Sequence, residues 1–267
     1  MTTLRPLAAA LVAAGAVVAL TACGSTGSPG GPATSSPATS TASITGTINV
    51  FAAASLQESF TTLRKNFEAA HPGVTVTPNF GASSALAQQI NQGAPADVFA
   101  SASQVNMDQV VQAGGAASST AFAKNVMEIA VPPANSAAIA GLNDLAKPGV
   151  KVALCQSQVP CGSVAAKVFA NAKITVTPVS QEADVKAVLT KVQLGEVDAG
   201  VVYVTDVKAA GDKVKGIEIA GDVNASTSYP IAALTKAPNL DAAAAFVAYV
   251  MSAEGKAVLA AGGFATP

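Results

Sequence analysis

The sequence predicts an α/β fold in which a parallel sheet is flanked by helices. Three observations support this class. Short apolar segments typical of strands alternate with segments of helical periodicity along most of the chain. The chain has 267 residues, of which 50% are hydrophobic, so it is long enough to bury a large core. No repeat of fixed period interrupts the alternation, and consecutive parallel strands should be joined by right-handed crossovers.

The first predicted strand covers residues 48–52. The helix after it carries one apolar stripe, with hydrophobic side chains four, three and four residues apart at Leu56, Phe60, Leu63 and Phe67. Further strands are predicted at residues 74–80, 97–101, 126–131, 150–154 and 199–203. Further helices are predicted near residues 83–90, 163–171 and 184–194, with C-terminal helices around Phe246, Val250 and Leu259.

The first 43 residues have the pattern of a lipoprotein leader. One arginine precedes a short apolar run, and residues 20–23 (LTAC) are similar to a bacterial lipobox, so residues 1–22 are predicted to be a signal peptide. Cleavage before Cys23 would leave that residue lipidated. An ordinary signal peptide with an incidental cysteine is the alternative. Residues 24–43 are only Gly, Ser, Thr, Pro and Ala, which predicts that residues 23–43 form a flexible tether. We therefore expect an extracytoplasmic protein anchored to the outer face of the membrane.

Charge and cysteine content exclude several classes of function. The formal net charge is −1, which gives no basic surface for nucleic acid. With one histidine and three cysteines, the chain cannot build a His/Cys metal cluster, and we expect no direct cation site. Outside the cytoplasm, Cys155 and Cys161 would remain as a pair after Cys23 is lipidated, and we expect them to form a disulfide.

Several strand–helix junctions carry small hydroxylic or glycine residues and no charged side chain. They contain Ser55, Ser83 and residues 159–163, and a further helix is predicted to start at Asp184. Helix starts offer unpaired N–H groups and a positive dipole end, and the carboxyl ends of strands meet in such folds. Together the junctions predict an oxyanion site of neutral donors. Alternatively each serine is only a helix cap, and Ser55 with Glu58 fits a capping box.

Four segments keep an order and spacing that match a known family. They are residues 49–56 (NVFAAASL), 80–90 (FGASSALAQQI), 93–102 (GAPADVFASA) and 200–206 (GVVYVTD). These segments resemble the periplasmic molybdate-binding proteins of ABC transporters. The resemblance implies a two-lobed type II periplasmic-binding-protein fold, each lobe a mixed, mostly parallel sheet flanked by helices. It also implies an oxyanion held by the hydroxyls of Ser55, Ser83 and Tyr203 and by the backbone amides of Cys161 and Val185.

On this resemblance the chain is a monomeric binding protein, not an enzyme, and needs no cofactor. One lobe would comprise residues 44–124 and 229–267, and the other residues 125–228. Hinge strands are expected near residues 125–131 and 228–234. The protein would deliver molybdate, together with the near-isosteric tungstate, to a membrane permease. Asp97 and Asp206 are expected to bond backbone N–H groups, because a carboxylate repels a dianion at close range.

Four other functions compete with molybdate binding. Sulfate or another tetrahedral anion would fit the same neutral donors, since charge does not discriminate between dianions. Phosphate is less suitable because it carries a proton at neutral pH and needs an acceptor. An iron site would need several converging tyrosines or carboxylates, and the chain has only three tyrosines. A serine hydrolase would have to use His71, the only histidine, and lacks a Gly-x-Ser-x-Gly elbow.

Overall fold

The computed structural model describes residues 43–267. The predicted signal peptide, Cys23 with its lipid, and all but the last residue of the tether lie outside the described residues. Within the described part, no single helix is long and apolar enough to cross a bilayer. The last two helices satisfy the length and composition only as a bent pair, with 62° between them.

The described chain alternates nine strands with eight helices, interrupted by three short 3-10 helices. The strands are β1 (Gly46–Ala53), β2 (Val74–Gly81), β3 (Val98–Ala100), β4 (Thr120–Val131), β5 (Val152–Cys155), β6 (Ser180–Glu182), β7 (Ala199–Tyr203), β8 (Lys215–Glu218) and β9 (Ser226–Ala233). The helices are α1 (Gln57–Ala70), α2 (Ser83–Asn91), α3 (Gln104–Gln112), α4 (Pro160–Ala172), α5 (Val185–Gln193), α6 (Val204–Ala210), α7 (Leu240–Met251) and α8 (Ala253–Gly262). The predicted α/β class is confirmed.

The sheet is mixed rather than wholly parallel. Its order is β2-β1-β3-β9-β4-β7-β5-β6, and β8 also pairs with β4. The pairs β1–β2, β1–β3, β5–β6 and β5–β7 are parallel, as alternation predicts. The four antiparallel pairs all contain β4 or β9. The expectation of a mostly parallel sheet therefore holds only for the strands joined by helical crossovers, because β4 and β9 run against their neighbours.

Strand β4 connects two halves of the sheet. Residues 120–126 pair with β9, and residues 127–131 pair with β7 and β8. The strand is six residues longer at its start than the apolar run at residues 126–131 predicts. The extra residues include the exposed Lys124, which interrupts the apolar pattern. A change of partners within one strand allows the sheet to bend there without breaking the chain of backbone hydrogen bonds.

The buried hydrophobic residues fall into separate clusters on either side of the point where β4 changes partners. One cluster consists of residues 127–219 with Ala54 as its only buried member from elsewhere. The other two clusters combine residues 48–123 with residues 229–264. The predicted apolar stripe of the first helix is buried in one of these, where Phe60 and Phe67 meet Phe246 edge-on at ring-centroid distances of 6.1 and 5.2 Å. Burial of each such side chain contributes about 1.5–3 kcal/mol to the stability of the fold. Because the clusters are separate, each half of the sheet has its own core.

Candidate functional site

A small cavity lies where the carboxyl ends of β1, β2 and β7 face the starts of α2, α4 and α5. It is small, with an empty volume of about 230 Å³ that includes the open space at its mouth. All five residues expected to bind an oxyanion line this cavity: Ser55, Ser83, Cys161, Val185 and Tyr203. None of the described residues that line it is a lysine or an arginine. The cavity is therefore suited to a small ligand held by neutral groups.

Ser83 is the first residue of α2 and is almost fully buried. Its Oγ accepts a hydrogen bond of 2.9 Å from the backbone N–H of Ala102. An N–H group can only donate, so the serine oxygen is the acceptor and its own proton is free for another partner. No side chain caps α2, and Ser83 does not cap its own helix. The serine thus offers the cavity a donor whose orientation is fixed by the neighbouring backbone.

Ser55 lies in the short 3-10 turn between β1 and α1, and its side chain is buried. Its Oγ lies 2.8 Å from the hydroxyl of Tyr229, in β9. The alternative interpretation of Ser55 and Glu58 as a capping box is wrong, because neither side chain caps the helix. Ser55 bonds to Tyr229 instead, and both Glu58 oxygens lie 2.8–2.9 Å from the Lys186 ammonium. Long-range partners have displaced the local cap.

The start of α4 provides backbone donors. Pro160 occupies the first helical position, three residues before the predicted start at residue 163, and no side chain caps this helix. A disulfide joins Cys155, at the end of β5, to Cys161, with Cα atoms 5.8 Å apart. Gly162 is required beside it, because a Cβ there would collide with the Gln156 carbonyl. The loop and the first turn of α4 are therefore packed backbone against backbone, and Cys161 lines the cavity.

The start of α5 is capped on one side only. Asp184 Oδ1 accepts hydrogen bonds from the N–H groups of Lys186 and Ala187, at 2.8 and 3.1 Å. This capping satisfies the second and third N–H groups of the helix, and Val185, whose N–H is the first, lines the cavity. The Oδ1 atom of Asp184 thus caps the helix. The residue is also one of those that line the cavity.

Tyr203 ends β7 and has an exposed fraction of only 1%. Within the described residues its hydroxyl has no hydrogen-bond partner. Burial, together with the nearby Tyr229 and Asp206, raises the pKa of this hydroxyl well above its usual value, so the proton remains on the oxygen. A buried hydroxyl without a partner costs about 1–3 kcal/mol. Tyr203, which lines the cavity, thus has an unpaired hydroxyl donor whose burial is unfavourable. A bound acceptor would satisfy it.

A buried ion pair lies behind Tyr203. Asp206 is fully buried, and its Oδ2 accepts from the Tyr203 N–H at 3.1 Å while its Oδ1 lies 3.0 Å from the Lys186 ammonium. Burial raises the pKa of the Asp206 carboxyl, against the opposing effect of Lys186. Burial also disfavours the charge on Lys186, but Asp206 and Glu58 outweigh it and raise the pKa of the ammonium. Both carboxylates thus hold the ammonium, which is not free to pair with a ligand.

The other two charged candidates from the sequence lie away from the cavity. Asp97 accepts backbone hydrogen bonds from Asn49 at 2.7 Å and Asn239 at 3.0 Å, as expected for a residue that bonds backbone groups. His71 ends α1 and packs on Phe67 at a centroid distance of 4.5 Å. A helix of 14 residues separates it from Ser55, a distance of about 20 Å. His71 therefore cannot act as a base for this serine.

Comparison with known proteins gives the family. Residues 48–265 match the model of the family described as bacterial extracellular solute-binding protein. The chain is 43% identical to the molybdate-binding protein ModA of Mycobacterium tuberculosis over 268 aligned residues, which cover 98% of each chain. The chain belongs to the ModA family of bacterial extracellular solute-binding proteins. Members of this family bind solutes and are not enzymes, so the hydrolase alternative is excluded.

Solved structures agree with this assignment at the level of the fold. A substrate-binding domain assigned to a molybdenum ABC transporter of Clostridium difficile superposes with a TM-score of 0.63 at 30% identity, covering 83% of this chain and 99% of the other. The sulfate-binding protein SubI of M. tuberculosis superposes with a TM-score of 0.73 at 19% identity, covering 82% and 86%. The periplasmic-binding-protein fold is therefore established, and it accommodates more than one oxyanion.

The sequence did not predict the residues that support the site. Tyr229, Asn125 and Thr205 form a buried polar chain behind Ser55, and the Ala102 N–H holds Ser83. These residues come from segments far apart in the chain, so no local motif contains them. Tyr229 offered one signal, since a tyrosine at the start of a strand next to an expected hinge can reach both halves of the sheet.

Proposed function

We propose that this protein is the extracytoplasmic solute-binding component of an ABC transporter and that it captures molybdate, and tungstate with it, in the cavity described above. Ser55, Ser83 and Tyr203 would donate their hydroxyl protons to the anion. Cys161 and Val185 would donate their backbone N–H groups. Since such hydrogen bonds to a charged acceptor are worth about 1.5–3 kcal/mol each, five of them offset much of the cost of removing a dianion from water.

The unpaired hydroxyl of Tyr203 is the observation that carries this proposal. It is buried, protonated and without a partner among the described residues, and it lines the same cavity as two serine hydroxyls and two helix starts. Three hydroxyl groups and two helix starts favour an anion that carries no proton of its own, and the one carboxylate that lines the cavity, Asp184, has its Oδ1 engaged by the backbone of α5. Molybdate and tungstate are such anions at neutral pH, whereas phosphate retains a proton that would face this donor-rich wall.

The names of the relatives favour molybdate over sulfate. Sulfate is also a fully deprotonated dianion, so the donor set alone does not distinguish it, and the fold is shared with a sulfate-binding protein. The relative with 43% identity over nearly its whole length is a molybdate-binding protein. Sulfate binding by the same cavity remains the second candidate function.

The two cores of the sheet are proposed to be lobes that close around the anion. One lobe would be residues 44–124 with 229–267, and the other residues 125–228, with the change of partners in β4 and the start of β9 as hinges. Hinge closure around a ligand is the usual motion of such two-lobed proteins. A lipid on Cys23 and the tether that follows it would keep the monomer at the outer face of the membrane, within reach of its permease.

Thermal unfolding with a panel of anions tests the proposal. A ligand at a thousandfold excess over its dissociation constant adds about 4 kcal/mol, which for a domain of this size is a rise of about 10 °C in the unfolding midpoint. We expect this rise with molybdate and tungstate and none with phosphate. A rise with sulfate alone would change the solute, and no rise with any of the four would refute the proposal.

A matched pair of serine variants shows whether the rise comes from this cavity. Ser83→Ala removes a hydroxyl that lines the cavity. Ser84→Ala removes one from the next residue of the same helix, which does not line it. The molybdate-dependent rise should shrink in the first variant and persist in the second. Equal behaviour of the two variants would place the anion elsewhere.

A further inference from the structure

We propose that Tyr229, oriented by Asn125, is a positioning residue that fixes the Ser55 hydroxyl as a donor to the bound anion. This inference rests on the proposed function and concerns residues behind the cavity, which Tyr229 and Asn125 do not line. It assigns a direction to each hydrogen bond in the buried chain that runs from Asn125 through Tyr229 to Ser55.

Asn125 sets the direction of the hydrogen bonds in this series. Its Oδ1 accepts a hydrogen bond of 3.0 Å from the backbone N–H of Val126, which fixes the side-chain amide with its nitrogen on the other side. That nitrogen lies 2.8 Å from Thr205 Oγ1 and 3.5 Å from the Tyr229 hydroxyl oxygen. An amide nitrogen only donates, so the Tyr229 oxygen is an acceptor toward Asn125.

Tyr229 passes this direction on to Ser55. The tyrosine is fully buried, and burial raises the pKa of its hydroxyl, so it keeps its single proton. Its ring is held edge-on by Phe264 at a centroid distance of 5.2 Å and by Phe122 at 6.3 Å. The 2.8 Å contact between the two hydroxyls is open to donation from either side, and the donation from Asn125 to the Tyr229 oxygen assigns the donor role to Tyr229. The serine oxygen then accepts, and the serine proton is available to the cavity.

Both serines of the cavity follow the same rule by different means. Ser83 accepts from a backbone N–H, and in the direction assigned above Ser55 accepts from the buried phenol 2.8 Å away. In each case a donor from the protein occupies the serine oxygen and leaves the hydroxyl proton for the ligand. Without Tyr229 the Ser55 hydroxyl could rotate freely among orientations, and binding would have to order it, which costs free energy.

A double-mutant cycle tests whether Tyr229 acts through Ser55. Molybdate affinity is measured by calorimetry for the parent protein, Tyr229→Phe, Ser55→Ala and the double variant. Tyr229→Phe retains the ring and removes only the hydroxyl. It should weaken binding about fivefold in the parent, the worth of one neutral hydrogen bond, and less than about twofold in the Ser55→Ala protein. A role that does not act through Ser55 would weaken binding equally in both backgrounds, and a role in stability alone would leave the affinity unchanged.

Tyr249→Phe is the matched control. Its hydroxyl is also buried and unpaired among the described residues, but Tyr249 lies in α7 beside Phe67 and does not line the cavity. It should leave molybdate affinity unchanged. If Tyr229→Phe binds as tightly as the parent, or loses the same factor in both backgrounds, the positioning role is wrong while molybdate binding stands. If the parent protein itself fails to bind molybdate, the proposed function is wrong and the positioning role falls with it.

Discussion

Replacing Tyr203 by phenylalanine should separate binding from stability. In the unliganded protein the hydroxyl is buried and makes no hydrogen bond to the described residues. Its removal therefore breaks no hydrogen bond to the described residues and eliminates a polar group that costs about 1–3 kcal/mol to bury unpaired. We expect the unfolding free energy of unliganded Tyr203→Phe to be equal to or higher than that of the parent.

Binding should change in the opposite direction. In the complex the same hydroxyl would donate to a dianion, and a hydrogen bond to a charged acceptor contributes about 1.5–3 kcal/mol. Since about 1.4 kcal/mol corresponds to a factor of ten, the dissociation constant for molybdate should rise roughly 10-fold to 150-fold. A residue that only packs in the core gives the reverse pattern, with stability reduced and affinity retained.

Two measurements on the same preparation decide the matter. Urea unfolding without ligand gives the stability, and calorimetric titration with molybdate gives the affinity, with Tyr249→Phe as the control for loss of a buried phenol hydroxyl away from the cavity. An unchanged dissociation constant would refute the role of Tyr203 as a donor. A loss of more than about 1 kcal/mol of unliganded stability would show that the hydroxyl has an internal partner after all.

Two further predictions concern the groups around the cavity. Lys186→Met should lower the unfolding free energy by about 3–5 kcal/mol because it leaves the buried Asp206 carboxylate unpaired, whereas Glu58→Gln should cost about 1 kcal/mol or less because that carboxylate is half exposed. Urea unfolding compares the two, and equal losses would contradict the dominance of the buried partner. Replacing Cys155 and Cys161 together by serine should cost about 2 kcal/mol of stability for a loop this short, and should also weaken molybdate binding because the first turn of α4 must then be ordered by the ligand. Calorimetry on the double variant checks this, and affinity equal to that of the parent would show that the disulfide does not order the site.

Local sequence patterns predict most of the fold because the relevant forces are local. The stripe from Leu56 to Phe67 has the period of a helix with one buried face, and α1 buries that face. Asp184 is a good helix cap by composition, and it caps α5. The antiparallel arrangement of β4 and β9 was not predictable in this way. Pairing partners over a hundred residues apart are chosen by tertiary packing, which leaves no periodic signal in either strand.

The residues of the candidate site also differ in whether the local sequence could predict them. Helix starts after strands are visible in the sequence, so the cavity walls at Ser55 and Ser83 could be expected from the residues alone. Tyr203 required a family resemblance, because a tyrosine at a strand end is usually a packing residue. The alternative of a capping box at Ser55 and Glu58 fitted the sequence but does not form, for a related reason. Local pairing is the only pairing that a sequence motif can express, and here partners from β9 and α5 compete successfully.

The charges near the cavity suggest why its donors are neutral. Lys186 follows Val185 directly, so an ammonium lies one residue from an expected ligand group, yet Asp206 and Glu58 hold it by ion pairs of 3.0 and 2.8 Å. An unpaired ammonium would attract any anion, since Coulomb attraction depends on charge and distance and not on the shape of the ion. Hydroxyl and backbone N–H donors fixed by the protein depend on direction and on proton state instead. Because Lys186 is engaged by Asp206 and Glu58, the cavity leaves selection among anions to geometry, at a free-energy cost that binding of a fully deprotonated anion can offset.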